Sequence, residues 1–178
     1  MNRDEFGTCL DSDHLVRVRQ SGLEPLTIII YGATGDLTWR KLIPALYELY
    51  SLGSLPTPFR IVGTGRSELG DDEWRDGLRE KMRPAGEHDL SSWDDFAAAL
   101  TYVRADPSDP GQFDNLARTV REMNGGTDAG ANLLHYLALP PSMYEPVADA
   151  IADCGMAREH SDGVGWSRLV VEKPFGRD

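Results

Sequence analysis

The sequence predicts an α/β fold, a Rossmann-like doubly wound and mostly parallel sheet with helices on both faces, and three observations point to it. An apolar run at 26–31 breaks into Gly32-Ala33-Thr34-Gly35 and passes at once into a helical pattern. Strand-like and helix-like segments then alternate to the end of the chain, the order that right-handed βαβ crossovers require. The length of 178 residues, with 40% hydrophobic and 26% charged, suits one globular domain that buries a substantial core.

Residues 1 to about 24 mix charges with Gly7, Ser12 and Gly22, and are expected to form a partly disordered leader with a short amphipathic piece at 15–18. The domain proper is expected over 25–178. After the first strand, a helix is predicted from about Thr38 to Leu52, its packed face set by Ile43, Leu46, Tyr47 and Tyr50. Pro44 inside it predicts a kink or a late start, and Gly53 is the expected C-cap. The second strand is 59–63, followed by a helix capped by Ser67 or Asp71 that runs toward Arg83. A short helix at 91–100, capped by Ser91 or Ser92, leads to a third strand at 101–105. The stripe Phe113, Leu116, Val120, Met123 predicts a helix over 111–123, ended by Asn124-Gly125-Gly126. A fourth strand at 132–139, a helix at 142–153 opened by Pro140-Pro141, and a fifth strand at 166–172 complete the order.

Composition excludes several classes. A net charge of −11 opposes nonspecific nucleic-acid binding, which needs an excess of Lys and Arg. No apolar run approaches the roughly 20 residues that span a bilayer. The N-terminus lacks the basic-then-apolar order of a secretory signal, so a cytoplasmic location is expected. Cys9 and Cys154 have no metal or redox spacing, and no disulfide between them is expected. His14, His88 and His160 show no ligand spacing either. His135 alternates away from Tyr136 and reads as a core or surface histidine.

Ligands in doubly wound sheets lie at the carboxyl ends of the strands, which directs attention to five loops. In the first, Gly32, Ala33, Thr34, Gly35, Asp36 and Leu37 form a tight turn at a helix mouth, where free N–H groups and the helix dipole favour phosphate. Thr34 and Leu37 occupy the second and third glycine positions of the strict dinucleotide fingerprint, so an ordinary strand-to-helix turn stays open. Thr34 offers a hydroxyl to a phosphate, and Asp36 is expected to cap the helix. The second loop carries Arg66 where an acidic residue would bind a ribose 2′-OH; a guanidinium there suits a 2′-phosphate. A solvated surface arginine is the bland alternative, and Glu68 is a potential competitor. The third loop, 105–110, offers turn chemistry and no candidate ligand. The fourth places Tyr136 near a bound cofactor, against the alternative of a half-buried strand aromatic. The fifth delivers Lys173 at a strand end, restricted by Pro174 and Gly176, to donate to a substrate hydroxyl or phosphate. A snorkelling lysine is the competing reading.

Together these residues resemble the N-terminal coenzyme domain of glucose-6-phosphate dehydrogenase. The matching pieces are Gly32-Ala33-Thr34-Gly35-Asp36-Leu37 with Arg40-Lys41-Leu42, Ile61-Val62-Gly63 with Arg66, Tyr136-Leu137-Ala138-Leu139-Pro140-Pro141, and Val171-Glu172-Lys173-Pro174-Phe175-Gly176. They cover about 26–178 in the family's order. The resemblance implies an oxidoreductase of glucose metabolism and the pentose phosphate pathway, moving hydride from C1 of glucose 6-phosphate to NADP to give the lactone of 6-phosphogluconate. It implies residues 32–37 at the pyrophosphate, Arg66 at the 2′-phosphate, Tyr136 on the coenzyme, and Lys173 touching both coenzyme and sugar phosphate. The full-length family member is expected to be a homo-oligomer, through a second domain.

Two departures stand out. Trp39 occupies a position where relatives often carry a basic or small residue. The chain ends at Asp178, before the family's Arg-Ile-Asp-His-Tyr-Leu-Gly-Lys segment and its base, so a coenzyme-binding fragment without catalytic residues or activity of its own is expected. His135-Tyr136-Leu137 echoes that segment only superficially, with Leu134 in place of its Asp. A stand-alone, non-catalytic NADP-binding or regulatory module is the second reading. A short-chain reductase would need Tyr-x-x-x-Lys, and no tyrosine here has lysine four residues on.

Overall fold

A computed structural model describes residues 23–82, 89–126, 131–157 and 165–173. The leader, Cys9, His14, His88, His160 and residues 174–178 lie outside them. Five parallel strands form one sheet in the order β3-β2-β1-β4-β5: β1 Leu26–Tyr31, β2 Phe59–Gly65, β3 Leu100–Arg104, β4 Asn132–Leu137 and β5 Trp166–Val171. Neighbours β1 and β4 lie on either side of the point where the winding reverses, the switch point at which such sheets bind ligands.

The helices follow from apolar spacing. Ile28, Ile30, Ile61 and Leu100 bury one face of the sheet against α1 (Ile43–Ser51), α2 (Asp71–Met82) and α3 (Trp93–Ala97). Alternate residues Ile29, Tyr31, Val62 and Leu137 bury the other face against α4 (Pro110–Met123) and α5 (Tyr144–Asp153). This two-sided burial explains why β1 reads as a continuous apolar run rather than an alternating one. The edge strand β5 is the least covered, and Leu169 is 49% exposed.

Several local expectations are corrected. The helix after β1 begins as a π turn over Thr38–Leu42 before α1. Pro44 has no N–H to donate to Arg40, so the ladder is already open there, and the Ile43 N–H reaches back five residues to Thr38 O. The predicted kink thus takes the form of a widened turn. Asp36 does not cap this helix; its carboxylate pairs with Arg40 at 3.1 Å. Neither serine at 91–92 makes a side-chain cap bond, and Asp89 accepts the Ser91 N–H at 2.9 Å instead. Asp71, expected as a cap, accepts the Tyr102 N–H at 2.7 Å and ties α2 to β3. By contrast, Asp109 caps α4 by accepting from the N–H groups of Gly111 and Gln112.

Trp74 packs closely over Gly63 and helps to seat α2 on the sheet. A Cβ at Gly63 would fall 2.3 Å from the indole, and the Trp74 Nε1–H donates to Ala33 O at 3.2 Å. The indole therefore fixes the distance between α2 and the loop after β1. Gly63→Ala is expected to destabilise the fold by about 1–3 kcal/mol through overpacking. Urea unfolding followed by tryptophan fluorescence checks this, and an unchanged midpoint would show that the indole is free to shift.

Candidate functional site

The loop after β1 is tied down by its own backbone. Gly32 and Ala33 both donate to Thr64 O, at 2.9 and 3.0 Å, and Gly35 donates back to Gly32 O at 2.9 Å. Thr38 Oγ1 donates to that same Gly32 oxygen at 3.0 Å. Gly32 has φ +89°, and a Cβ there would stand 2.5 Å from Ala138 O, so both the backbone angle and the close approach of the β4 loop demand glycine. Thr34 is exposed at the tip, and its N–H has no acceptor among the described residues. A fixed turn with an outward-facing amide and hydroxyl ahead of a helical segment is suited to an anion.

A cleft of about 320 Å³ opens beside this turn, over the carboxyl ends of β1, β2 and β4. Gly32, Thr34 and Gly35 form one wall, Thr64, Gly65 and Arg66 a second, and Ala138, Leu139 and Pro140 a third. Arg66 is exposed and carries no ion pair among the described residues. The structure thus unites four of the sequence-predicted site residues in one cavity. The remaining five lie elsewhere: Ala33 is buried beneath the turn, Asp36 is paired with Arg40, and Leu37, Tyr136 and Lys173 do not line the cleft.

Tyr136 and Lys173 are nevertheless linked. The Tyr136 hydroxyl donates to the Glu172 carboxylate, and the Tyr144 hydroxyl donates to Glu172 O at 3.1 Å. Two tyrosines therefore fasten the residue before Lys173, which is itself exposed. Partial burial, reinforced by the bond to Glu172, pushes the Tyr136 phenol up to about 12, so it remains a donor at neutral pH.

Sequence reasoning missed much of the cleft. Ala105 and Pro107, from the loop expected to contribute nothing, line it together with Phe113. The rule that every strand end faces the ligand would have kept that loop in view. Thr64 is 1% exposed, and its hydroxyl has no partner among the described residues. An orphaned hydroxyl in a cleft wall is a group that a bound ligand or water would satisfy.

Below the cleft runs a buried polar chain that joins distant segments. Ser167 Oγ donates to Met156 O at 2.9 Å, leaving its oxygen to face His135 Nε2 at 3.1 Å. Tyr31 Oη lies 3.0 Å from His135 Nδ1. Every group is satisfied if Nε2 carries the single imidazole proton and Nδ1 accepts from the Tyr31 hydroxyl. Burial pushes His135 down to about 4 and raises the Tyr31 phenol well above its ordinary value, so both stay neutral.

The chain as a whole is similar to known proteins. The family model described as the NAD binding domain of glucose-6-phosphate dehydrogenase matches residues 29–178. A glucose-6-phosphate 1-dehydrogenase of Aggregatibacter actinomycetemcomitans is 36% identical over 155 residues, covering 87% of this chain and 31% of the relative. The cytoplasmic glucose-6-phosphate 1-dehydrogenase 6 of Arabidopsis thaliana is 36% identical over 170 residues, covering 90% of this chain and 33% of that protein. Among solved structures, a glucose-6-phosphate dehydrogenase in complex with its substrate glucose 6-phosphate superposes with a TM-score of 0.75 at 30% identity, over 87% of this chain and 31% of that one. The chain spans about a third of the length of the curated relatives it matches.

The neutral His135 has a consequence for acid stability. The unfolded chain takes up this proton near pH 6.5 and the folded chain near 4, so between those values the unfolded state binds more protons. The contribution is complete above about 6.5 and lost as pH falls toward about 4, amounting to roughly 3 kcal/mol. Denaturant midpoints at neutral and acid pH are expected to differ less in His135→Phe than in the unaltered chain. An equal difference in both would remove His135 as the cause.

Proposed function

The chain belongs to the glucose-6-phosphate dehydrogenase family through that family's NAD binding domain, and on that premise we propose that its cleft binds NADP for oxidation of glucose 6-phosphate at C1. The observation that carries this reading is a single cavity walled both by the Gly32-to-Gly35 turn and by Arg66. The residues fit the coenzyme on two counts. Gly32 admits the close approach of Ala138 O that shapes the turn, and Thr64, in the cleft wall, carries a buried hydroxyl without a partner among the described residues, which a bound ligand or water would supply. Bound NADP would supply the hydride acceptor.

In this reading the turn holds the pyrophosphate through backbone N–H groups and the Thr34 hydroxyl. Arg66 takes the 2′-phosphate through paired, charge-assisted bonds, where NAD-specific relatives of the fold use a carboxylate against the ribose. Phe113, Ala105 and Pro107 supply apolar wall beyond Arg66, suited to the adenine. Tyr136 and Lys173 work at the other end of the cofactor. Glu172, held by both tyrosines, fixes the backbone from which Lys173 reaches the coenzyme and the sugar phosphate.

The whole reaction belongs to the longer proteins of which this chain matches about a third. Residues 25–178 are assigned the coenzyme half of that work. Cytoplasmic location and assembly into a homo-oligomer accompany the same proposal. Among the described residues no helix is long and apolar enough to cross a membrane, which is compatible with that location.

Calorimetric titration of the chain with NADP and NAD tests the assignment. NADP is expected to bind more tightly, and Arg66→Ala to weaken NADP by roughly tenfold while changing NAD little. Equal affinities in the unaltered chain would overturn the role given to Arg66. Mixing the same chain with NADP and glucose 6-phosphate is expected to give binding without turnover, and sustained rise of nicotinamide absorbance would show that residues 25–178 do more than hold coenzyme.

A further inference from the structure

Two residues beyond Arg66, the carboxylate of Glu68 has a partner other than Arg66. Glu68 Oε2 lies 3.6 Å from Arg104 Nη1, with the Glu68 side chain almost wholly in solvent. Arg104 is the last residue of β3 and pairs in register with Gly65, the residue before Arg66. The Ala105 N–H donates to Gly65 O at 2.9 Å, so the two strand ends are locked side by side. Adjacent strands lie about 4.8 Å apart, which brings Arg66 and Arg104 to the same rim of the sheet. Asp106 lies within reach of both: after its hydrogen bonds from Ser108, the two guanidinium groups also lower its carboxyl below the usual range.

Gly65 has no side chain, and the Tyr102 hydroxyl packs close to the place a Cβ would take. A Cβ there would lie 3.2 Å from the Tyr102 hydroxyl and 3.9 Å from Thr34 Oγ1. The Tyr102 hydroxyl donates to Ser67 O at 3.0 Å, holding the loop that carries Arg66 against β3. The cleft is therefore bordered on this side by Thr34, the bare backbone of Gly65 and Arg66, and Arg104 stands just outside that lining at the adjacent strand end. Only one of the two arginines, Arg104, carries an ion pair among the described residues.

We propose that Arg104 is a second specificity-determining residue for the 2′-phosphate of the dinucleotide, and that Glu68 holds its guanidinium at the rim until the phosphate replaces the carboxylate. This inference rests on the reading of NADP as coenzyme. An exposed ion pair at 3.6 Å contributes little and is readily exchanged. A phosphate carries more charge and more acceptor oxygens than a carboxylate, so it wins the guanidinium where the two compete. Glu68 also repels a second negative charge at the same rim, which sharpens the choice for a ligand able to engage both arginines at once. A plain strut between the β2 loop and β3 is the competing role for the pair.

Calorimetric titration of the full 178-residue chain with NADP and with NAD separates these roles. Arg104→Ala is expected to weaken NADP about fivefold and NAD less than twofold. Arg104→Lys recovers part of the loss, because an ammonium keeps the charge without the paired donors. Glu68→Gln, which frees Arg104 and removes the repelling charge, is expected to tighten NADP about twofold. A strut would instead make Glu68→Gln and Arg104→Ala weaken NADP and NAD alike, and that result overturns the proposal. So does an unchanged NADP-to-NAD ratio in Arg104→Ala, which leaves the coenzyme reading intact if Arg66→Ala still abolishes discrimination. Equal affinity of the unaltered chain for the two dinucleotides, or binding of neither, removes the coenzyme reading and the role of Arg104 with it.

Discussion

At the switch point of the sheet, Ala138 N–H donates to Tyr31 O at 2.9 Å, and the carbonyl of the same residue crowds the α-carbon of Gly32. This contact between the ends of β1 and β4 fixes where the chain turns and how closely the β4 loop approaches. With the left-handed angle of Gly32 and the double use of its carbonyl by Gly35 and Thr38, it leaves the turn one conformation. The cleft exists because these constraints coincide: the turn folds inward onto its own carbonyl and presents Thr34 outward. Without the close approach there would be a strand and a helix but no cradle between them.

Strands were legible because two-sided burial writes itself directly into composition. Residues 26–31 contain no position that faces water fully, and the observed β1 begins and ends where the apolar run does. The place of Arg66 in the cleft wall was legible for a different reason, since the crevice of a parallel sheet lies at the carboxyl ends of its strands. Asp36 was misread because its chemistry suits a cap but its geometry does not: within a helical turn it lies one turn from Arg40, and the ion pair forms instead. The partner of Glu68 was invisible because it lies on β3, and sequence spacing says nothing of which strand ends become neighbours. The same holds for Tyr31 and His135, separated by 104 positions and joined by a hydrogen bond.

That buried pair shows how the sheet carries polar groups where its strands are otherwise apolar. Tyr31 packs its ring on Phe113 with centroids 6.1 Å apart, so its apolar body belongs to the core while its hydroxyl needs an acceptor. His135 supplies one and passes the requirement to Ser167 on β5, which passes it to the Met156 carbonyl after α5. Each member satisfies the next in a fixed direction, and the chain ends on a backbone acceptor. The edge strand, poorly covered by side chains, is therefore held to the sheet by more than its ladder. This matters for the site because β5 ends at Glu172, the residue both Tyr136 and Tyr144 grip.

A net charge of −11 on the chain opposes the approach of an anionic coenzyme such as the one proposed. The distances resolve the conflict. At physiological ionic strength, exposed charges more than about 8 Å away are largely screened, so the global excess counts for little inside the cleft. What counts is the local set, and around the Arg66 wall of the cleft that set is Arg66 and Arg104 with Asp106 and Glu68. Asp106 spends its acceptors on Ser108, and Glu68 spends its own on Arg104. Under the proposed binding of a dinucleotide, the turn after β1 needs no side-chain charge, because backbone N–H groups ahead of a helix supply the field there. An acidic surface and an anion site are compatible when the site is built from amides and a few closely set guanidinium groups. The acidity then acts on partners too large to enter the cleft, nucleic acid among them, and leaves the small anion to the local donors.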